Sequence, residues 1–297
     1  MSSYDKSSLW LPVLVLLIAM TSIQGGAALA KTLFPVVGAP GITALRLGLG
    51  TLILCVIFKP WRLRFTRKQL LPLCLYGVAL GGMNYSFYLA LRTVPLGIAV
   101  ALEFTGPLAL ALAGSRRPLD FVWVLLALLG LWLLLPIGKE ISSVDAKGAL
   151  LAVLAGAFWA VYILAGKRAG AEHGPATVAM GSLIASVIYV PLGLAYASAG
   201  IWTLSLIPLA VAIAILSSAL PYSLEMIALT RLPAKTFGTL MSLEPAMAAL
   251  SGMLFLGEVL SFIQWLGLLA IILASAGSTL MMRPAKQKIA PVSELRE

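Results

Sequence analysis

The sequence predicts an all-α membrane protein of ten transmembrane helices, arranged as two inverted repeats of five helices each. Three observations predict this fold: the hydropathy of the chain, the distribution of its basic residues, and a similarity between its two halves. Of the 297 residues, 61% are hydrophobic and 11% are charged, and the mean hydropathy is +1.02. A soluble domain usually carries about 25% charged residues. A water-soluble core cannot hide so much apolar surface, so we expect lipid to surround it.

Apolar stretches long enough to cross a bilayer follow one another along the chain. One crossing needs about 20 apolar residues, so ten crossings use about 200 and leave only short loops. Clusters of proline and glycine mark several of the breaks between the stretches. The predicted helices are 9–30, 41–58, 71–91, 96–114, 120–137, 148–166, 175–199, 204–229, 235–256 and 261–282. The polar residues 283–297 are predicted to form a disordered cytoplasmic tail.

The basic residues are concentrated in every second loop between the predicted helices. If the N-terminus lies inside, most of the 21 lysines and arginines fall in cytoplasmic segments. The opposite loops carry only Lys31, Arg92, Lys139 and Lys147. Such a bias is typical of cytoplasmic loops in membrane proteins. It predicts that both termini face the cytoplasm, which requires an even number of spans.

Two segments, one in each half of the chain, resemble each other. Residues 90–107 read ALRTVPLGIAVALEFTGP, and residues 228–245 read ALTRLPAKTFGTLMSLEP. Both contain an Ala-Leu pair and two prolines at matching positions. The predicted repeats are 1–140 and 141–282, and because each holds five helices, the second enters the membrane in the opposite direction. Chance similarity between apolar segments is the alternative explanation.

Acidic residues inside the predicted helices are the strongest indication of function. Of the eleven acidic residues, three lie inside predicted spans: Glu103, Glu225 and Glu244. A charge at the centre of a membrane helix costs about 3 kcal/mol, so such residues usually face a bundle interior, a partner or a proton path. We expect a polar cavity in which these carboxylates bind a cation or exchange a proton. Alternatively, a carboxylate pairs with Arg46 in the second span, or accepts hydrogen bonds from tyrosine and serine.

Other polar residues complete the predicted cavity. Asn84, Tyr85 and Tyr222 each lie close to a glycine or proline that loosens the helix, and we expect them to line it. Arg46 is expected to make structural contacts or to meet a substrate carboxylate. The predicted substrate- or proton-binding residues are Glu103, Glu244, Glu225, Arg46, Asn84, Tyr85 and Tyr222. The weaker candidates for lining the cavity are Gln24, Tyr88, Trp159, Tyr162 and Ser223.

Several functional classes are disfavoured by missing motifs. The only histidine, His173, lies beside Gly174 in a predicted loop, and the chain holds no HExxH, Walker or Gly-x-Ser-Gly motif. We therefore expect that the protein is not an enzyme, that it has no catalytic residue, and that it binds no metal or cofactor. The net charge of +10 follows from topology and does not indicate a nucleic-acid partner. Without a nucleotide motif, transport would use a gradient or run downhill. A non-transporting receptor or scaffold is the alternative from another class.

Long blocks of sequence carry a family resemblance over nearly the whole chain. They are SIQGGAALAK at 22–31, GGMNYSFYLALRTVPLGIAVALEFTGPLALAL at 81–112, RRPLDFVWV at 116–124, AGAEHGPATVA at 169–179 and LPYSLEMIALTRLPAKTFGTLMSLEPAMAA at 220–249. These blocks resemble the drug/metabolite transporter superfamily, whose members contain two EamA-type repeats. The likeness is greatest to bacterial inner-membrane exporters of small amino acids such as threonine and homoserine.

The resemblance implies a function and a set of partners. It implies ten helices in an inverted repeat, a location in the bacterial inner membrane, and export of amino acids or their analogues by exchange for protons. The expected partners are therefore a small amino acid, protons and membrane lipid. A broad-specificity metabolite or drug exporter is the alternative within the same class.

Overall fold

The regular structure of the chain is helical throughout the residues that a computed structural model describes, which are 7–62, 66–113, 120–134, 145–173, 175–231 and 240–281. The helices are α1 Ser7–Thr32, α2 Phe34–Phe58, α3 Arg67–Ala90, α4 Leu96–Glu103, α5 Thr105–Ala113, α6 Asp120–Leu134, α7 Ala146–His173, α8 Pro175–Ala195, α9 Ile207–Ala214, α10 Leu220–Arg231, α11 Glu244–Leu256 and α12 Phe262–Met281. A π-helical turn, Ile215–Ala219, joins α9 to α10. The predicted tail 283–297, Arg116, Arg117, Lys139 and Pro233 lie outside the described residues.

Six segments are long and apolar enough to cross a membrane. They are Val13–Thr32, Phe34–Phe58, Arg67–Ala90, Ala146–Gly170, Ala176–Ala195 and Leu204–Glu225. Three shorter apolar helices are Leu96–Leu110, Glu244–Leu256 and Phe262–Gly277. Large apolar side chains such as Leu52, Val187 and Leu254 are exposed on the outside of the bundle, where lipid tails are equally apolar. The prediction of an all-α membrane protein is therefore confirmed.

A short helical turn precedes the second predicted helix. It begins at Phe34, and Pro35 lies in its first turn, where a missing backbone N–H leaves no helical hydrogen bond unmade. Gly38 follows with φ 73° and ψ 157°, which is not a helical conformation. Because a residue without Cβ adopts positive φ easily, Gly38 separates this turn from the main part of α2, which begins close to the predicted residue 41.

Two of the predicted buried acids lie at helix breaks rather than in the middle of helices. Glu103 is the last residue of α4, and the turn at Phe104 separates it from α5. The ring nitrogen of Pro107 cannot donate a hydrogen bond to the carbonyl of Glu103 four residues earlier, which explains this break. Glu244 is the first residue of α11 and follows a turn. Pro245 removes the corresponding hydrogen bond there.

A close contact between two glycines holds the first of these breaks in place. A Cβ atom at Gly106 would collide with the carbonyl oxygen of Gly156 in α7. A Cβ atom at Gly156 would in turn collide with the carbonyl oxygen of Glu103. The backbone of α7 therefore lies directly against the backbone that carries Glu103, and only glycine fits at this position.

We predict that Gly156→Ala destabilises the protein by about 1–3 kcal/mol, because the added methyl group overpacks this contact. Gly170→Ala is the matched control in the same helix, since a Cβ atom there meets nothing within 4 Å. Thermal unfolding of the detergent-purified proteins should give a lower Tm for Gly156→Ala and an unchanged or higher Tm for the control. A wild-type Tm for Gly156→Ala would contradict this packing.

Candidate functional site

A cavity lined by residues from both halves of the chain lies inside the helical bundle. Its walls come from α1, α2, α3 and α4 of the first half and from α7, α10 and α11 of the second. Six of the seven predicted site residues line it: Glu103, Glu244, Glu225, Arg46, Asn84 and Tyr222. Residues Gln24, Tyr88, Trp159 and Tyr162 also line it. The structure therefore brings together residues that are far apart in the chain, such as Gln24 and Glu244, which are separated by 220 positions.

Arg46 is the one cationic side chain among the described lining residues, and it is 2% exposed. Its Nε donates a hydrogen bond to Ser217 Oγ at 2.9 Å. One terminal nitrogen donates to Asn84 Oδ1 and the other to the carbonyl oxygen of Ser217. The guanidinium also lies over the ring of Tyr88, 4.7 Å from its centroid, in a cation–π contact. Neutral groups thus fix the orientation of Arg46.

The position of Ser217 depends on local backbone structure. It lies in the π-helical turn between α9 and α10, where the regular α-helical hydrogen-bond pattern is interrupted. Two glycines let this turn approach its neighbours closely. A Cβ atom at Gly26 in α1 would lie 2.9 Å from the Cβ of Ser217, and one at Gly50 in α2 would lie 2.9 Å from the Cβ of Ser218.

Asn84 and Tyr222 join the arginine to two further helices. Asn84 Nδ2 donates to the carbonyl of Leu80 at 2.7 Å and lies 3.3 Å from the Tyr222 hydroxyl. Its amide oxygen accepts the hydrogen bond from Arg46. Helices α2, α3 and α10 are therefore connected through one polar network, and each member is satisfied by another.

The acidic residues of the cavity are not balanced by positive charge. Glu103 is 8% exposed and Glu244 is 5% exposed, while Glu225 is half-buried. Among the described residues, the only ion pair joins Lys31 to Glu258, so none of these carboxylates pairs with Arg46. Three carboxylates thus share a cavity with one guanidinium. Since isolated charges are costly away from water, bound protons or a cationic ligand must offset the excess negative charge.

Tyr85 does not line this cavity, in contrast to the prediction. It packs against Tyr189 of α8 with ring centroids 5.9 Å apart. It lines a second pocket together with Arg92 and Tyr196. Successive helical residues point about 100° apart, so Tyr85 faces α8 when its neighbour Asn84 faces the cavity.

Two contributors to the site have no clear signal in the sequence. Ser217 contributes its backbone carbonyl, and a π-helical turn has no residue pattern that predicts it. Gln24 was only a weak candidate, yet its Nε2 donates to Glu244 Oε1 at 3.1 Å. A polar residue in an apolar helix was the signal available for Gln24, and it was weaker than the signal from a charge.

The fold and the cavity together define a class of protein: an integral membrane protein whose helices enclose a cavity lined by charged side chains. Residues 146–280 match the EamA-like transporter family. A solved crystal structure has the same fold, with a TM-score of 0.62 at 20% identity, covering 90% of this chain and 96% of that chain.

Curated relatives extend the match to nearly the whole chain. The threonine/homoserine exporter RhtA of Salmonella typhimurium (strain SL1344) is 69% identical over 285 residues, covering 96% of this chain and 97% of the relative. RhtA of Escherichia coli (strain K12) is 69% identical over 281 residues, covering 95% of each. The uncharacterized transporter YwfM of Bacillus subtilis (strain 168) is 31% identical over 227 residues, covering 75% of this chain and 73% of YwfM.

The chain therefore belongs to the EamA-like transporter family. The predicted resemblance to EamA-type transporters is confirmed by these comparisons. The prediction that the chain is not an enzyme is confirmed as well, because its curated relatives are exporters.

We predict that Asn84→Leu lowers the free energy of unfolding by about 1–3 kcal/mol, because it leaves buried polar groups of Arg46 and Tyr222 without their partner. Tyr85→Phe, at the adjacent position outside the cavity, is the control and should have little effect. Thermal unfolding in detergent measures both variants. Equal Tm values for the two would show that the network around Arg46 contributes nothing to stability.

Proposed function

We propose that this protein is a secondary active transporter that exports small amino acids such as threonine and homoserine in exchange for protons. Two relatives with 69% identity over nearly the full length are named threonine/homoserine exporters, which supports this choice of substrate. The observation that carries the mechanism is the charge of the cavity, which is lined by three carboxylates and one guanidinium. Such a site is stable when it holds either protons or an ammonium group, and export requires an alternation between the two.

The proposed architecture has ten spans in two inverted repeats, 1–140 and 141–282. In it α4 and α5 form one broken span, and α9, the π-helical turn and α10 form another. The contacts between helices support this proposal. Helices α2 and α8, α4 and α11, and α6 and α12 pack together, and each pair joins a helix to its counterpart in the other repeat. The packing of α3 on α7 has its symmetric equivalent in the packing of α1 on α10.

The proposed location is the bacterial inner membrane, with both termini in the cytoplasm. The concentration of basic residues in alternate loops supports this orientation. In this orientation Lys31 and the start of α4 lie at the external end of the bundle. Glu225 lies in the middle of α10, in the second half of the span that begins with α9, and is therefore closer to the cytoplasm.

The substrate is a zwitterion, and the cavity offers groups for both of its charges. Arg46 carries five N–H donors, and three of them bind Ser217 and Asn84. Its guanidinium also contacts the Tyr222 hydroxyl, so one donor is left for a carboxylate. Glu103 and Glu244 are the proposed partners of the ammonium group. Glu225 provides a further carboxylate on the cytoplasmic side, and Tyr222 helps to orient Arg46 through Asn84.

The external end of the bundle is held closed by one polar cluster. Lys31 Nζ lies 2.6 Å from Glu258 Oε1 and donates to the Val94 carbonyl at 3.1 Å. Glu258 Oε2 accepts a hydrogen bond from the Leu96 N–H at 2.7 Å. The end of α1, the start of α4 and the loop before α12 are thereby tied together. In the proposed cycle this cluster opens to release the amino acid, and a proton from outside then occupies the vacated carboxylate.

We predict that inverted membrane vesicles, whose lumen corresponds to the cell exterior, accumulate labelled threonine when the lumen is acidic. Glu103→Gln and Glu244→Gln should each reduce this uptake by about tenfold or more, because an amide neither releases a proton nor neutralises an ammonium. Asp145→Asn is the control outside the cavity. Normal gradient-driven uptake by both glutamine variants would refute the assignment of these residues, and no uptake by the wild type would refute the proposed function.

We predict that Glu258→Gln increases access to the cavity from outside, because it removes the ion pair with Lys31. A single cysteine, Ala27→Cys, in a background with Cys55→Ala and Cys74→Ala reports on this access, since Ala27 lines the cavity. An impermeant maleimide added outside intact cells should label this cysteine several-fold faster when Glu258→Gln is present. Equal labelling rates with and without Glu258→Gln would contradict the proposed role of the cluster.

A further inference from the structure

Three oxygen atoms of residues that line the cavity have no hydrogen-bond partner among the described residues. One is the Tyr88 hydroxyl, and the other two belong to Gln24 and Glu244, whose side chains contact each other. Gln24 and Glu244 are 4% and 5% exposed, and both line the cavity. A single hydrogen bond joins them, from Gln24 Nε2 to Glu244 Oε1 at 3.1 Å. This bond leaves Gln24 Oε1 and Glu244 Oε2 buried and without a partner. A buried polar atom without a partner is unfavourable, so the pair is ready to receive a ligand.

The chemistry of the two free atoms defines the ligand. The amide oxygen of Gln24 only accepts hydrogen bonds, and so does an ionised carboxylate. A matching ligand must therefore present two donors close together. One donor faces a carboxylate and is best matched by a cation, while the other faces a neutral amide and is best matched by a neutral hydroxyl group.

We propose that Gln24 Oε1 accepts a hydrogen bond from the side-chain hydroxyl of the substrate while Glu244 Oε2 faces its ammonium group. Gln24 is then the residue that selects hydroxylated amino acids. This inference rests on the proposed export of threonine and homoserine and deepens it. A small amino acid can reach both acceptors at once, because Gln24 and Glu244 are already in hydrogen-bond contact.

The selectivity follows from the cost of leaving the amide oxygen unpaired. A site built to bind a substrate hydroxyl rejects an analogue without it much more strongly than an apolar pocket rejects a change in size. Threonine and homoserine share one such analogue, 2-aminobutyrate, which is what remains of either when the hydroxyl is replaced by hydrogen. A single competitor therefore tests the hydroxyl contact for both substrates.

The test is competition against labelled threonine in the inverted vesicles described above. For the wild type, the half-inhibiting concentration of 2-aminobutyrate should be about tenfold or more above those of threonine and homoserine. In Gln24→Met the three concentrations should converge, because the hydroxyl has lost its acceptor. If 2-aminobutyrate competes as well as threonine in the wild type, or if Gln24→Met discriminates like the wild type, the inference is wrong while export of threonine still stands.

A second variant gives a result that a merely structural role for Gln24 would not produce. Gln24→Asn keeps an amide but shortens the side chain by one methylene group, so that the amide oxygen lies further from the substrate. Homoserine carries its hydroxyl one carbon further from the α-carbon than threonine does. Gln24→Asn should therefore shift the preference several-fold from threonine toward homoserine. An unchanged ratio of the two half-inhibiting concentrations would overturn the inference. The ratio remains interpretable if Gln24→Met fails to fold, because Gln24→Asn retains a polar amide.

Discussion

The arrangement of the cavity depends on one constraint, which is that its charged side chains are held away from water. Three carboxylates and one guanidinium line a cavity enclosed by apolar helices, and they do not neutralise one another. The arginine is fixed by neutral partners, and none of the three carboxylates forms an ion pair with it. The carboxylates need a proton or a cation to be stable in these surroundings. In the proposed cycle, the ammonium group of an amino acid and a proton meet this requirement in turn.

The backbone around the cavity is adapted to this chemistry. Glu103 ends one helix and Glu244 begins another, and a proline close behind each of them interrupts the helical hydrogen bonds. Polar backbone groups that are freed in this way are tolerated in a membrane only where they are buried in protein or face a cavity. Gly156 secures the first break against α7, because any side chain there would collide with the carbonyl of Glu103. The backbone position of Glu103 is thus set by close packing.

Features that depend on composition and charge could be predicted from the sequence. The direction in which a side chain points from its helix, and local irregularities of the backbone, could not. The all-α membrane class and the gathering of Glu103, Glu244 and Arg46 followed from apolar stretches and from the cost of charge in lipid. Tyr85 was misplaced because proximity to Asn84 in sequence says nothing about which face of α3 it occupies. The backbone carbonyl of Ser217 was invisible, since its role arises from a π-helical turn. Pro107 and Pro245 follow the two acids in the sequence, and the structure has a helix break at each of these positions.

The central claim is that substrate and proton replace each other at the buried carboxylates. Proton release during substrate binding tests it most directly, measured with a pH indicator on purified protein in weakly buffered detergent solution. Adding threonine to the wild type should acidify the solution, and the change should be lost when Glu103→Gln and Glu244→Gln are combined. Threonine binding to the wild type with no proton released at any pH would contradict the account.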